Sequence, residues 1–136
     1  MDKKAFKRKL WKLFSIFIRL KECLETTGAT DRGVCCTCNR IYHYKELQAG
    51  HFIDGRGNSV LFDEDLVHIQ CWQCNCAKKG NKDAYTQYMV EKYGQEKVDR
   101  FYLLKHMTKS LSAFELEAMH QEICDKIKEL KNNWLI

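Results

Sequence analysis

The chain has 136 residues and not one proline. Without proline there is no rigid linker, so residues 1–136 are expected to form one domain with a helical tail rather than two domains. No run of about 18 apolar residues occurs, which excludes an ordinary membrane-spanning helix. Internal repeats are absent as well, so a solenoid or array is excluded. Lys9, Lys12 and Arg19 interrupt the apolar residues near the N-terminus. No small-residue cleavage site follows them, and export is not expected. Hydrophobic residues at 45% and charged residues at 30% are globular values, which excludes wholesale disorder.

Against these absences stand eight cysteines. In a secreted domain they could form disulfides; in a reducing compartment they could be thiolate metal ligands. Their spacing favours metal. Cys35 and Cys38 form one C-x-x-C pair, and Cys71 and Cys74 form a second. Two such pairs on either side of an intervening segment suit a tetrahedral four-cysteine Zn2+ site, because each pair bends the backbone so that two sulfurs face one ion. Cys36 and Cys76 adjoin the pairs, while Cys23 and Cys124 fall among helical apolar positions and read as buried thiols.

The formal charge of +5 is unevenly placed. Residues 1–40 carry ten Lys/Arg against four Asp/Glu, whereas residues 83–136 carry eight against nine. The excess at the front implies a polyanionic partner, with nucleic acid favoured over a membrane surface. There, Phe6, Leu10, Leu13, Phe14, Phe17 and Leu20 recur at helical spacing among lysines, which predicts a basic amphipathic helix over residues 3–24. Lys7, Arg8 and Lys12 are its candidate phosphate contacts; the alternative is a solvated face.

Thr26 to Gly33 reads as a loop. Beyond the first cysteine pair, Leu47, Ala49 and His51 share one side of a short strand ended by the turn residues 54–58. Segments 60–62 and 66–70 are candidates for the returning strand. Cys71 to Gly80 is expected to open a helix carrying the second cysteine pair. Asp83 is a candidate N-cap for a helix through Lys92, followed by another from Gln95 to His106. Ser112 and Glu115 spell a capping box before a long helix with Leu116, Met119, Ile123, Ile127 and Leu130 on one stripe. The expected class is α+β.

The cysteine pairs would pin both ends of this hairpin, bringing His51 opposite Asn75, the residue after Cys74. An imidazole that deprotonates water and an amide oxygen that holds a divalent ion would together suit phosphodiester hydrolysis. Arg56, Lys78, Lys79 and Lys82 surround this pair in sequence and are candidates for positioning phosphate, the alternative being a solvated helix end. No helix shows the spacing of a base-reading element.

The order Cys35-x-x-Cys38, Ala49-Gly-His51-Phe-Ile, Leu61-Phe-Asp-Glu64, Val67-His-Ile-Gln-Cys71-x-x-Cys74-Asn75 and Gly80-Asn81 resembles the HNH (ββα-metal) nucleases, in particular the lambda-phage NinG (Rap) recombination-protein family. The likeness runs over roughly residues 10–105. It implies a zinc-stabilised ββα-metal core over residues 33–82, between the N-terminal helix and a helical C-terminal region over 83–136. It further implies an endonuclease that cuts branched DNA, such as Holliday junctions or D-loops, with Mg2+ or Mn2+ in the cytoplasm of a bacterial host. On this likeness His51 matches the general base, Asn75 the metal-binding helix residue, and the four paired cysteines the zinc ligands. Many members place Asp or His directly before the base, where this chain has Gly50, and their central Asn falls at or near Leu66. Candidates to complete the metal shell are His68, Asp54, Asn58, Asp63 and Glu64. His68 could also be a hydrogen-bonded structural imidazole. Symmetric junction cutting would call for a homodimer, with the long C-terminal helix as its expected interface. The alternative function is a zinc-stabilised DNA-binding or assembly module without catalysis.

Overall fold

In the computed structural model, which describes residues 2–55 and 57–134, the Asp2 carboxylate caps the first helix by accepting from the Lys4 backbone N–H at 3.3 Å. This helix, α1, spans Lys3–Thr27, three residues beyond the expected end. Thr26 and Thr27 have loop-like composition. Their hydroxyls instead bond back one turn, to the carbonyls of Glu22 and Cys23 at 2.7 and 2.8 Å, and keep the helix going. It stops at Gly28, whose φ of 78° is the left-handed conformation that glycine adopts without a Cβ clash.

Strands β1 (Arg32–Val34) and β2 (Ile41–His43) form a small antiparallel hairpin whose turn contains Cys35 and Cys38. A 3₁₀ turn, Tyr44–Glu46, leads into β3 (Leu47–His51), which pairs antiparallel with β4 (Val67–Cys71). The register sets Leu47 opposite Cys71, Gly50 opposite His68 and His51 opposite Val67. Between these strands lies a one-turn helix, α2 (Asn58–Leu61). Val60 and Leu61, expected in the returning strand, belong to this turn. The Gly57 carbonyl accepts from both of their N–H groups, and both side chains are buried.

The segment after β4 also departs from expectation. Cys71 closes the strand, and only a single π-type turn, Gln73–Ala77, follows. Positive φ angles at Lys79, Gly80 and Asn81 then break the chain. Helix α3 (Lys82–Tyr93) starts afresh, with Asp83 inside its first turn rather than capping it. Helices α4 (Gln95–Leu104) and α5 (Ala113–Trp134) complete the order. The capping box forms as the sequence predicts: Glu115 N–H donates to Ser112 Oγ at 3.1 Å, and Ser112 N–H donates to the Glu115 carboxylate at 3.3 Å.

The β3–β4 hairpin is packed between two helical layers, giving the expected α+β class. Leu47, Ala49, Val67 and Ile69 meet Leu10, Phe14, Phe17 and Ile18 of α1 and Leu116, Ile123 and Ile127 of α5. Phe52, Val60 and Leu66 instead pack with Tyr85 and Met89 of α3 and with Val98 and Phe101 of α4. The apolar stripe of α5, expected at a dimer interface, is therefore largely buried against α1 within the chain. Among the described residues no helix is long and apolar enough to cross a membrane.

Candidate metal centre and adjoining cleft

Cys35, Cys38, Cys71 and Cys74 converge, with all four sulfurs within 4.8 Å of one another. Cys38 Sγ and Cys71 Sγ are 3.9 Å apart, close to the ~3.8 Å edge of a tetrahedral zinc–thiolate site. The donor set and its spacing thus fit zinc. Burial pushes the Cys35 thiol up. Hydrogen bonds from the Thr37 hydroxyl and from backbone N–H groups outweigh it and bring the thiol down to about 7. The other four cysteines lie outside the cluster. Cys36 is buried in the second core and its thiol is pushed up, chiefly by burial and then by Glu22. Burial likewise raises Cys23 to about 11. All eight cysteines are free of disulfides.

Beside this centre opens a cleft of about 780 Å³. His51, at the end of β3, and Asn75, in the π-type turn, both line it, as the sequence predicts. The second cysteine pair fixes that turn across the hairpin. The His51 ring stacks on Trp11 of α1, with centroids 4.7 Å apart and planes at 23°. Its Nε2 lies 3.3 Å from the Leu61 carbonyl oxygen. An imidazole donating from Nε2 carries its lone pair on Nδ1. Asn75 Nδ2 donates to Gln48 Oε1 at 2.7 Å, which orients the amide and fixes the position of Oδ1.

Trp11, Ser15 and Arg19 of α1 form the opposite wall. At 3.6 residues per turn, Arg8 and Lys12 share their helix face, and both are exposed. Lys45 and Lys79 add positive charge at the rim. Lys78 is exposed but does not line the cleft. Arg56 lies outside the described residues.

Two expected phosphate contacts are committed elsewhere. Lys82 Nζ donates to the carbonyls of His51 and Phe52, both at 2.8 Å, and lies 3.1 Å from the Asp54 carboxylate. Its three donors are thereby used in holding the end of β3. Lys7 Nζ donates to Asn58 Oδ1 at 2.6 Å, and Asn58 Nδ2 donates to the Lys109 carbonyl, tying α1 to α2 and to the connection before α5.

His68 is not part of the cleft. It is 1% exposed, with Nδ1 2.8 Å from Glu22 Oε2 and Nε2 2.9 Å from the Asp65 carbonyl. Tyr85, Tyr88 and Tyr93 surround the ring. Both nitrogens face acceptors in the interior, so the imidazole ties β4 to α1 and has no nitrogen turned toward His51. Leu66, at or near the position of the family's central Asn, is a core side chain and brings no ligand. Of the remaining carboxylate and amide candidates, only Asp54 reaches the cleft. Asp63 accepts from the Asp65 N–H, and Glu64 pairs with Lys126.

Gly50 marks a close approach. A Cβ there would overlap Gln70 Oε1 and would stand 3.1 Å from Asn75 Oδ1. Its carbonyl accepts from the Tyr85 hydroxyl at 2.7 Å, while the same hydroxyl accepts from His68 N–H at 3.0 Å. Arg19, Lys45 and Gln48 line the cleft although sequence alone assigns none of them to the site. The four-residue spacing of Trp11, Ser15 and Arg19 is the one signal that could have found that wall.

Comparison with known proteins returns one family. The sequence model of the family described as "Bacteriophage Lambda NinG protein" matches residues 1–133. Among curated proteins, the chain is 29% identical over 100 residues to "Protein ninG" of Escherichia phage lambda, covering 73% of this chain and 48% of that protein. It is equally similar over 100 residues to "Protein ninG" of Escherichia phage 933W, covering 49% of that protein. The corresponding protein of Enterobacteria phage H19B is 29% identical over 104 residues, 76% of this chain and 51% of that one. The chain thus spans about half the length of the curated relatives it matches. No solved structure matches it.

Proposed function

The chain belongs to the bacteriophage NinG family, and from that premise we propose that it is an HNH-type endonuclease that cuts branched DNA during phage recombination, in the cytoplasm of the bacterial host. One observation carries the reading: His51 and Asn75 line one cleft beside a four-cysteine centre that anchors the turn bearing Asn75.

In this mechanism His51 is the general base. Its ring is held by Trp11 and by the Leu61 carbonyl, and Nδ1 takes a proton from water as the water oxygen attacks phosphorus. The P–O bond to the leaving sugar oxygen breaks, and that oxygen takes a proton from solvent. Asn75 Oδ1 would hold Mg2+ or Mn2+, which when bound neutralises charge developing on the phosphate. Lys82 keeps the base in place through the backbone carbonyls. Arg19, Lys45 and Lys79, with Arg8 and Lys12 along α1, supply sequence-independent phosphate contacts. An open cationic cleft walled by a basic helix on one side suits two duplex arms meeting at a branch. Symmetric cutting of a junction would engage two chains.

The other reading, a zinc-stabilised DNA-binding or assembly module without catalysis, draws on Gly50 and Leu66, which place no ligand side chain where the family usually has one. Labelled four-way junction, D-loop and linear duplex, each with Mg2+, Mn2+ or EDTA, separate the two. Metal-dependent nicking of the branched substrates supports the nuclease. Tight junction binding with no nick under any divalent ion overturns it and supports the second reading.

A further inference from the structure

We propose that Gln70 supplies a second protein oxygen of the divalent-cation site, its Oε1 standing where a side chain at position 50 would project. This rests on the nuclease reading above. Gln70 is wholly buried on β4. Its Nε2 donates to the Gly80 carbonyl at 2.9 Å and to Thr37 Oγ1 at 3.1 Å. The Gly80 carbonyl can only accept, so the amide has one orientation and Oε1 must point the other way. There Oε1 is a buried acceptor with no hydrogen-bond partner among the described residues. Such an orphan is unusual in a protein interior and calls for an explanation.

Its surroundings supply one. Oε1 abuts Gly50, and Asn75 Oδ1 lies 3.1 Å from the same Cβ position. Gln48 holds the Asn75 amide nitrogen, so an oxygen is again the atom presented. Two amide oxygens therefore converge on the Cβ position of Gly50, the residue before His51, one from β4 and one from the π-type turn. Hard oxygen donors suit Mg2+ or Mn2+, whereas Zn2+ takes the thiolates next door. Both donors are neutral, so a divalent ion keeps its full charge for an anionic phosphodiester, and its binding strengthens when DNA fills the cleft. Gln70 also joins the two centres, because Thr37 Oγ1 lies 3.4 Å from Cys35 Sγ.

The test is Mn2+ binding followed by electron paramagnetic resonance on zinc-loaded His51→Ala protein bound to an intact four-way junction. Adding Gln70→Ala is expected to weaken Mn2+ by about tenfold or more, and Gln70→Glu, which adds a negative charge, to tighten it. Gly50→Asp with Gln70→Ala, which moves the ligand onto β3, is expected to recover the lost affinity. Gln70→Ala protein with full zinc, native circular dichroism and unchanged Mn2+ affinity overturns the assignment; Oε1 is then simply a water acceptor. Absence of Mn2+ binding by the His51→Ala parent on the junction overturns it too. These readouts do not depend on cleavage. Gln70-dependent Mn2+ binding in a protein whose wild type never nicks would instead retire the nuclease reading and leave the cation site standing.

Discussion

Gly50→Ala is the smallest change that probes how β3, β4 and the π-type turn are locked together. The φ angle at Gly50 is not in the left-handed region, so alanine is allowed by the backbone and would gain about 0.4–1 kcal/mol through the unfolded state. The added methyl, however, overlaps Gln70 Oε1. Forcing an extra carbon into packed surroundings costs about 1–3 kcal/mol. If Gln70 swings aside, its bonds to Gly80 and Thr37 are lost at about 1 kcal/mol each. The net expectation is destabilisation by about 1–4 kcal/mol. In a Gln70→Ala background the main obstacle is gone and only the 3.1 Å approach to Asn75 Oδ1 remains, so the same substitution should cost little or become stabilising by up to about 1 kcal/mol. Urea unfolding of the four proteins at fixed zinc, followed by circular dichroism, measures this coupling. Equal or greater stability of Gly50→Ala in the Gln70-containing protein would refute the close approach on which the reasoning depends.

Other consequences follow from the same geometry. Lys82→Met should lower the single-turnover cleavage rate while leaving junction affinity and its salt slope almost unchanged, since Lys82 holds backbone carbonyls. Lys79→Met should instead weaken binding and reduce the salt slope by about one; a reversed pattern would exchange the two roles. Glu22→Leu leaves the buried His68 Nδ1 and the Ile69 N–H without an acceptor and should destabilise by about 2–6 kcal/mol in denaturant, whereas an effect confined to Mn2+ binding would return His68 to the catalytic centre. Cys74→Ser should lower bound zinc, measured by atomic absorption, and chelator should unfold the wild type cooperatively. Full zinc occupancy in the variant would remove Cys74 from the ligand set.

Spacing carried a good deal of this structure. Two C-x-x-C pairs, a strand ending at His51 and Asn75 after the second pair place a thiolate cluster beside a histidine, because each rests on local backbone geometry. The Ser112 and Glu115 capping box is equally local. What spacing could not show depends on partners distant in sequence. Val60 and Leu61 are apolar and β-compatible, yet burial in a single helical turn satisfies them as well as a strand would. Lys82 looks like a phosphate contact until the carbonyls of His51 and Phe52 are seen beneath its ammonium. His68 looks like a ligand until Glu22, 46 residues earlier, is found against its ring. Gln70 lies within the Val67–Asn75 motif, yet spacing assigned it no role; its meaning comes from an oxygen left unpaired against a glycine on the neighbouring strand.

The most direct measurement is strand-resolved nicking of a labelled four-way junction by zinc-loaded wild type and His51→Ala under single-turnover conditions with Mg2+. Wild type should cut, while His51→Ala should bind the junction equally well and cut about 10²–10⁴-fold more slowly. Cleavage by His51→Ala at the wild-type rate, or an uncut junction fully bound by wild type, would contradict His51 as the general base of a nuclease.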